Sequence, residues 1–139
     1  MDERIKNGTP LMEGMWTVRD DKVYLLASVC EACEEVYFPQ KEVEVCSHCQ
    51  GEKLKTVELS REGFVKSFSV VHQPPAGGFY KGKVPFIYGL VQLPDDVIIP
   101  GHILADAAQL KIGDKVEVVL DVLHEDENGP VTVYKFQKV

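Results

Sequence analysis

No cysteine in this chain stands alone, no apolar run is long enough to span a bilayer, and basic residues are outnumbered. Each shortage excludes something. All four cysteines fall into two C-x2-C pairs, Cys30 with Cys33 and Cys46 with Cys49, so no spare thiol remains to act as a nucleophile. A membrane helix needs about 20 apolar residues, and nothing here approaches that length. The polar start Met1-Asp2-Glu3-Arg4 does not read as a signal peptide, and thiolate ligands suit a reducing compartment, so the cytoplasm is the expected location. Lys and Arg number 15 against 22 Asp and Glu, a net charge of −7 that opposes binding to a nucleic-acid backbone. The histidines His48, His72, His102 and His124 are scattered, and no metal-hydrolase helix motif joins them. His72 or His102 could serve as a base; an exposed or hydrogen-bonded structural histidine is the commoner case. No internal repeat or low-complexity tract is present.

What is there begins with the cysteines. Cys30-Glu31-Ala32-Cys33, twelve further residues and Cys46-Ser47-His48-Cys49 form two knuckles, each able to aim two thiolates at one point. Together they supply the tetrahedral four-sulfur shell that zinc favours, and the stretch reads as a zinc ribbon. Two disulfides or four unrelated thiols are the bland alternatives. Tetrathiolate iron is the sharper one, because sulfur ligation alone does not separate the two metals. His48 lies inside the second knuckle and, with four thiolates available, is expected to face solvent. Tyr37 and Phe38, between the knuckles, are expected to shield the metal and to serve the core.

With 139 residues and 45% hydrophobic composition, the chain suits one ordinary domain or two small ones. A ribbon this short buries little, so the main core must come from residues after it. Residues 1–10 read as a loose arm or turn. Leu11, Met12, Met15 and Trp16 have the spacing of one face of a short helix, which either packs on the ribbon or presents its tryptophan to a partner. Strands are expected near Thr56–Val71 with a break at Arg61–Gly63, and near Phe86–Leu93, Val97–Leu104, Lys115–Leu123 and Val131–Gln137. Turn-rich separators such as Pro94-Asp95-Asp96 and Ile112-Gly113-Asp114 interrupt them. Five short strands fit a small Greek-key barrel of the oligonucleotide/oligosaccharide-binding (OB) type, with a β-sandwich as runner-up. The expected organisation is mainly β: an arm and short helix over 1–22, a rubredoxin-like zinc ribbon over 23–55 and a five-stranded OB-fold over 56–139.

The longest stretch without a strand pattern is His72–Pro85. It carries Phe79, Tyr80, Lys81 and Lys83 among Gly77, Gly78 and Gly82. Connections this long are often functional. The aromatics suit an acyl or pantetheine chain and the lysines suit phosphates; the competing reading is a surface loop whose aromatics fold back on the barrel.

The order Glu13-Gly14-Met15-Trp16, Cys30-x2-Cys33, Tyr37-Phe38-Pro39-Gln40-Lys41, Cys46-x2-Cys49 and then a barrel resembles the acyl-CoA-associated proteins that join a rubredoxin-like zinc ribbon to an OB-fold. Gly63-Phe64-Val65-x-Ser67, Val84-Pro85-Phe86 and Leu110-Lys111-Ile112-Gly113-Asp114-Lys115-Val116 extend the likeness. Glu34, where a glycine often follows the first knuckle, and Gln40-Lys41, in place of the more usual Pro-Arg, depart from the pattern. The resemblance implies an accessory subunit or fused domain of thiolases, of archaeal hydroxymethylglutaryl-CoA synthase assemblies, or of steroid side-chain hydratase or aldolase complexes. The active-site cysteine would then belong to the partner. In size and separate-chain organisation the chain is similar to the small zinc-ribbon subunits of two-subunit thiolases, the type that cleaves 2-benzoylsuccinyl-CoA in anaerobic toluene degradation.

The leading expectation is therefore a non-catalytic zinc subunit, inactive alone, that docks on a thiolase-like catalytic subunit, helps shape its acyl-CoA site and involves neither nucleic acid nor membrane. A single-stranded nucleic-acid-binding module and a rubredoxin-like electron carrier are the alternatives. A salt-dependent gel shift would favour the first of these, and red, redox-active protein the second.

Overall fold

A computed structural model describes residues 5, 7–39, 45, 46, 49–72, 85–94 and 97–139, and ten strands form there. They are β1 (Thr9–Pro10), β2 (Trp16–Arg19), β3 (Lys22–Cys30), β4 (Val36–Tyr37), β5 (Leu54–Glu58), β6 (Glu62–Val71), β7 (Phe86–Leu93), β8 (Val97–Leu104), β9 (Lys115–Asp126) and β10 (Gly129–Lys138). Among the described residues no helix is long and apolar enough to cross a membrane.

The last five strands close on themselves. β6 pairs with β7, β7 with β8, β8 with β10 in parallel, β10 with β9, and β9 returns to β6. Closure removes the exposed edges that an open sheet or sandwich would leave, and the order is that of an OB-type barrel. Alternation explains the interior: Val116 and Val118 of β9 and Val91 and Leu93 of β7 point inward and are buried around Phe136. Gly63 and Gly89 stand on the same inward face, where an added Cβ would lie 2.5 Å from a carbonyl oxygen of a neighbouring strand in each case. Those strands approach too closely for any side chain. Lys66 forms a bulge in β6, between Val65 and Ser67, which adds bend to the wall.

The second sheet is built on β3, which pairs with β2, β4 and β5. It shares the barrel's core through Val23, Leu25 and Ala27. Arg61 fastens the two sheets: its guanidinium donates to the Val23 carbonyl at 3.1 Å and the Val118 carbonyl at 3.0 Å. Tyr134 is the aromatic hub, edge-on to Trp16 at 6.3 Å, Phe38 at 5.7 Å and Phe136 at 6.0 Å, and its hydroxyl donates to the Pro100 carbonyl.

Two expectations need correction. The short helix at 11–18 is absent: Gly14 turns the chain at φ 79°, and Trp16–Arg19 instead enters a hairpin with Lys22–Leu25. Its two-residue loop, Asp20-Asp21, has both residues at positive φ, the geometry that matches strand twist in tight hairpins. Met15 and Trp16 pack against the core, whereas Leu11 and Met12 are exposed. Secondly, Thr56–Val71, expected with its break at Arg61–Gly63 to serve as one barrel strand, is two strands in different sheets. Leu54–Glu58 pairs with β3, and only Glu62 onward enters the barrel. Residues 9 and 10, expected in a loose arm, add a short parallel pairing to β10.

Candidate metal centre

β3 delivers Cys30 at its last residue, braced on one side by the β5 register partner Leu54 and on the other by the return through β4. The two knuckles then repeat one backbone pattern. Cys30 N–H donates to the Glu35 carbonyl and Cys46 N–H to the Gly51 carbonyl; Glu34 N–H returns to the Cys30 carbonyl and Gln50 N–H to the Cys46 carbonyl. Each turn places the residue after its second cysteine at positive φ, Glu34 at 65° and Gln50 at 61°. The glycine commonly found there is therefore replaced by a residue that accepts a left-handed backbone at some energetic cost.

This folding gathers all four sulfurs within 4.8 Å of one another. Cys30 Sγ lies 3.5 Å from Cys49 Sγ, and Cys33 Sγ lies 3.6 Å from Cys46 Sγ. Sulfurs at about 2.3 Å from a tetrahedral zinc stand about 3.8 Å apart, so the set fits a metal ion of that size. The cysteines are free, which sets aside the two-disulfide alternative. Backbone amides of Cys33 and Ala32 hold the Cys30 thiol below its ordinary range. Cys33 moves the other way, up to about 12: the Glu35 amide pulls it down, but burial and three sulfur neighbours outweigh that. Four clustered thiols cannot all ionise without a cation to replace their protons.

Two further groups serve the cluster. Tyr37 places its hydroxyl 3.1 Å from Cys46 Sγ, so this aromatic faces the sulfurs while Phe38 serves the barrel core. Gly51 leaves room for them: an added Cβ would lie 3.3 Å from Cys49 Sγ and 3.4 Å from Cys30 Sγ. A glycine two residues beyond a knuckle was the available signal for that close approach. His48 lies outside the described residues.

The barrel carries two adjoining clefts that sequence reasoning did not find. One, of about 910 Å³, lies where β6 ends and β7 begins; Val70, Phe86 and Ile103 line it together with His102, Asp121 and Lys135. Lys135 is almost fully buried there, its Nζ 3.2 Å from Asp121 Oδ2 and 3.1 Å from the Val122 carbonyl. The other, of about 490 Å³, runs past Leu11, Met15, Tyr88 and Tyr134. Pro85, the last residue of the long connection, stands in the wall of the first cleft. Phe79, Tyr80, Lys81 and Lys83 lie outside the described residues, so the structure neither joins them to the cleft nor separates them from it.

His102 stacks on Phe86 at 4.6 Å between the clefts, and burial pushes its imidazole down to about 4, with Lys135 contributing and Asp121 opposing. The sign follows from linkage. Above pH 6.5 the ring is neutral folded or unfolded; below it the unfolded chain takes the proton first, so stability is lost as pH falls from 6.5 towards 4. Denaturant midpoints measured across that range should fall less steeply for His102→Gln than for the parent chain; parallel curves would contradict this.

Residues 56–121 match the family model for the C-terminal OB-fold domain of ChsH2. The benzoylsuccinyl-CoA thiolase subunit BbsA of Thauera aromatica is 30% identical over 117 residues, 84% of this chain and 77% of that protein. A DUF35 domain-containing scaffold protein of Methanocaldococcus jannaschii is 29% identical over 128 residues, 89% of this chain and 88% of the relative. Among solved structures, a chain of the Ltp2-ChsH2(DUF35) aldolase superposes with a TM-score of 0.62 at 28% identity, covering 83% of this chain and 84% of that one.

Proposed function

This chain belongs to the DUF35 family that carries a ChsH2-type OB-fold domain, and from that membership we propose that it is a zinc-binding accessory subunit of a thiolase-type complex. It docks on the catalytic subunit, helps shape the acyl-CoA site and carries out no chemistry alone. The observation that carries this reading is the likeness to BbsA across 84% of the chain, a protein named as a thiolase subunit. The sulfur cluster supports it, because every cysteine able to attack a thioester is drawn into one metal-sized group.

The metal is zinc in a structural role, held by Cys30, Cys33, Cys46 and Cys49. Within this reading the chain divides into an arm over 1–22, a ribbon over 23–55 and an OB-fold over 56–139, with β5, which pairs with β3, lying across the second boundary. Phe79 and Tyr80 meet the acyl or pantetheine part of the substrate, Lys81 and Lys83 its phosphates, and 2-benzoylsuccinyl-CoA is the substrate to try first. Such a complex belongs in the cytoplasm, apart from membranes and nucleic acids.

Reconstitution with a thiolase-type catalytic subunit tests this. The purified chain should show no acyl-CoA turnover, and the complex should show it. In the complex, Lys81→Ala with Lys83→Ala should raise KM, each lost contact being worth about 1.5 to 3 kcal/mol if well formed and less if exposed. Turnover by the chain alone, or failure to join any such subunit, would overturn the proposal. Purified protein that is red and redox-active would replace zinc with iron.

A further inference from the structure

One outer face of the barrel carries little of the charge that the rest of the chain carries. Register defines it as three cross-strand rows on β6, β7 and β8: Phe64–Gln92–Ile98, Ser67–Leu90–Pro100 and Ser69–Tyr88–His102. None of these residues is Asp, Glu, Lys or Arg, in a protein where such residues make up 27%. His102, the imidazole among them, is uncharged at neutral pH because burial pushes it down to about 4. Phe64, Tyr88, Leu90 and Ile98 are large and exposed, from 38% for Leu90 to 53% for Phe64. Lys66, the bulge residue next to Ser67, is the one charged side chain on the β6 side of these rows, and Glu62 lies beyond Phe64. One end of the face opens into the smaller cleft, which Ser69, Tyr88 and His102 help to line.

A charge-free centre with aromatics and a charged margin is the composition of an interface core. With strands about 4.8 Å apart and alternate residues about 6.8 Å apart, the rows cover roughly 300 Å². A specific interface buries about 800 Å² on each partner, so these rows would form the middle of one, with the margin as its rim. A second copy is the poorer occupant, because each copy brings a net charge of −7 and the two would repel.

We infer that the outer face of β6, β7 and β8, centred on Phe64, Tyr88, Leu90 and Ile98, is the surface on which the thiolase-type catalytic subunit sits. The inference rests on the accessory-subunit reading and adds the place of contact. Leu90→Glu and Tyr88→Glu each put a charge into the centre at positions exposed enough to leave the barrel folded, which thermal unfolding checks. Val18→Glu does the same on β2, in the other sheet, as a control.

Titration of the wild-type chain and the three variants against the catalytic subunit should show affinity falling at least about tenfold for Leu90→Glu and Tyr88→Glu, and changing less than about twofold for Val18→Glu. Equal binding by all four proteins would overturn the inference and leave the accessory-subunit reading standing. Absence of any association by the wild-type chain would overturn both. Conversion of the isolated chain from dimer to monomer by Leu90→Glu would assign the face to a second copy instead.

Discussion

Replacing Cys46 with Ser is expected to empty the metal centre and unfold the knuckles of the ribbon while the barrel remains. Cys46 is buried, with its sulfur 3.6 Å from Cys33 Sγ and 3.1 Å from the Tyr37 hydroxyl, and its backbone ties the second knuckle to Gly51 and Gln50. Serine offers no thiolate, and a three-sulfur remnant binds zinc far more weakly than a complete shell. Structural zinc contributes about 10 to 16 kcal/mol of binding energy in small ribbons, and most of that is folding energy. Little else holds the knuckles themselves, since only Cys30 and Cys46 of the cluster are buried. The barrel supplies most of the common core, with Val65, Val91, Ile99, Val116 and Phe136, and Val23, Leu25 and Ala27 of β3 pack into it. Elemental analysis should therefore fall from one equivalent of zinc to well under half, and thermal unfolding should acquire an early transition assigned to the knuckles. A Cys46→Ser protein with full zinc and wild-type unfolding would contradict the four-sulfur assignment.

What could be read from the sequence depended on how far apart the cooperating residues lie. The cysteine pairs are local and chemically unambiguous, and the structure gathers them as expected. The strands at Phe86–Leu93 and Val97–Leu104 coincide with the expected ranges because alternation and flanking turns are also local. Trp16–Arg19 was misread because four residues are too few to set a period, and the apolar spacing from Leu11 to Trp16 imitates a helix; the better signal was the Asp20-Asp21 turn after it. Leu54–Glu58 was joined to the barrel because nothing within it records that its partner is β3, reached across both knuckles. The Lys135–Asp121 pair was invisible for the same reason. Lys135 sits among residues that alternate like any strand, and only its register against β9 shows that the ammonium is buried beside a carboxylate. The uncharged outer face likewise exists only once three strands are in register. The loop with Phe79, Tyr80, Lys81 and Lys83 lies outside the described residues, and its role stays with the reconstitution assay.

Gly89→Ala should cost more stability than its one added methyl group suggests, more than about 3 kcal/mol if neither strand can yield. Gly89 pairs with Phe68 of β6 and Gly101 of β8, so two glycines face each other across the centre of the barrel wall. An added Cβ at Gly89 would lie 2.5 Å from the Ser67 carbonyl oxygen, 2.7 Å from Ile103 Cδ1 and 3.0 Å from Phe68 Cβ. A side chain can rotate away, but the Ser67 carbonyl belongs to the strand just past the Lys66 bulge, and moving it breaks the β6–β7 ladder. Gly101 offers no slack, because the Tyr134 and Phe136 rings already fill the space in front of it. Gly129→Ala separates this packing effect from backbone preference. Gly129 has φ +110° with nothing within 4 Å of the added Cβ, so its replacement should cost only the positive-φ backbone penalty, about 1 to 3 kcal/mol. Urea midpoints of the two variants decide the matter. If Gly89→Ala stays within about 1 kcal/mol of the parent, the close approach of β6 and β7 does not set the curvature of this barrel.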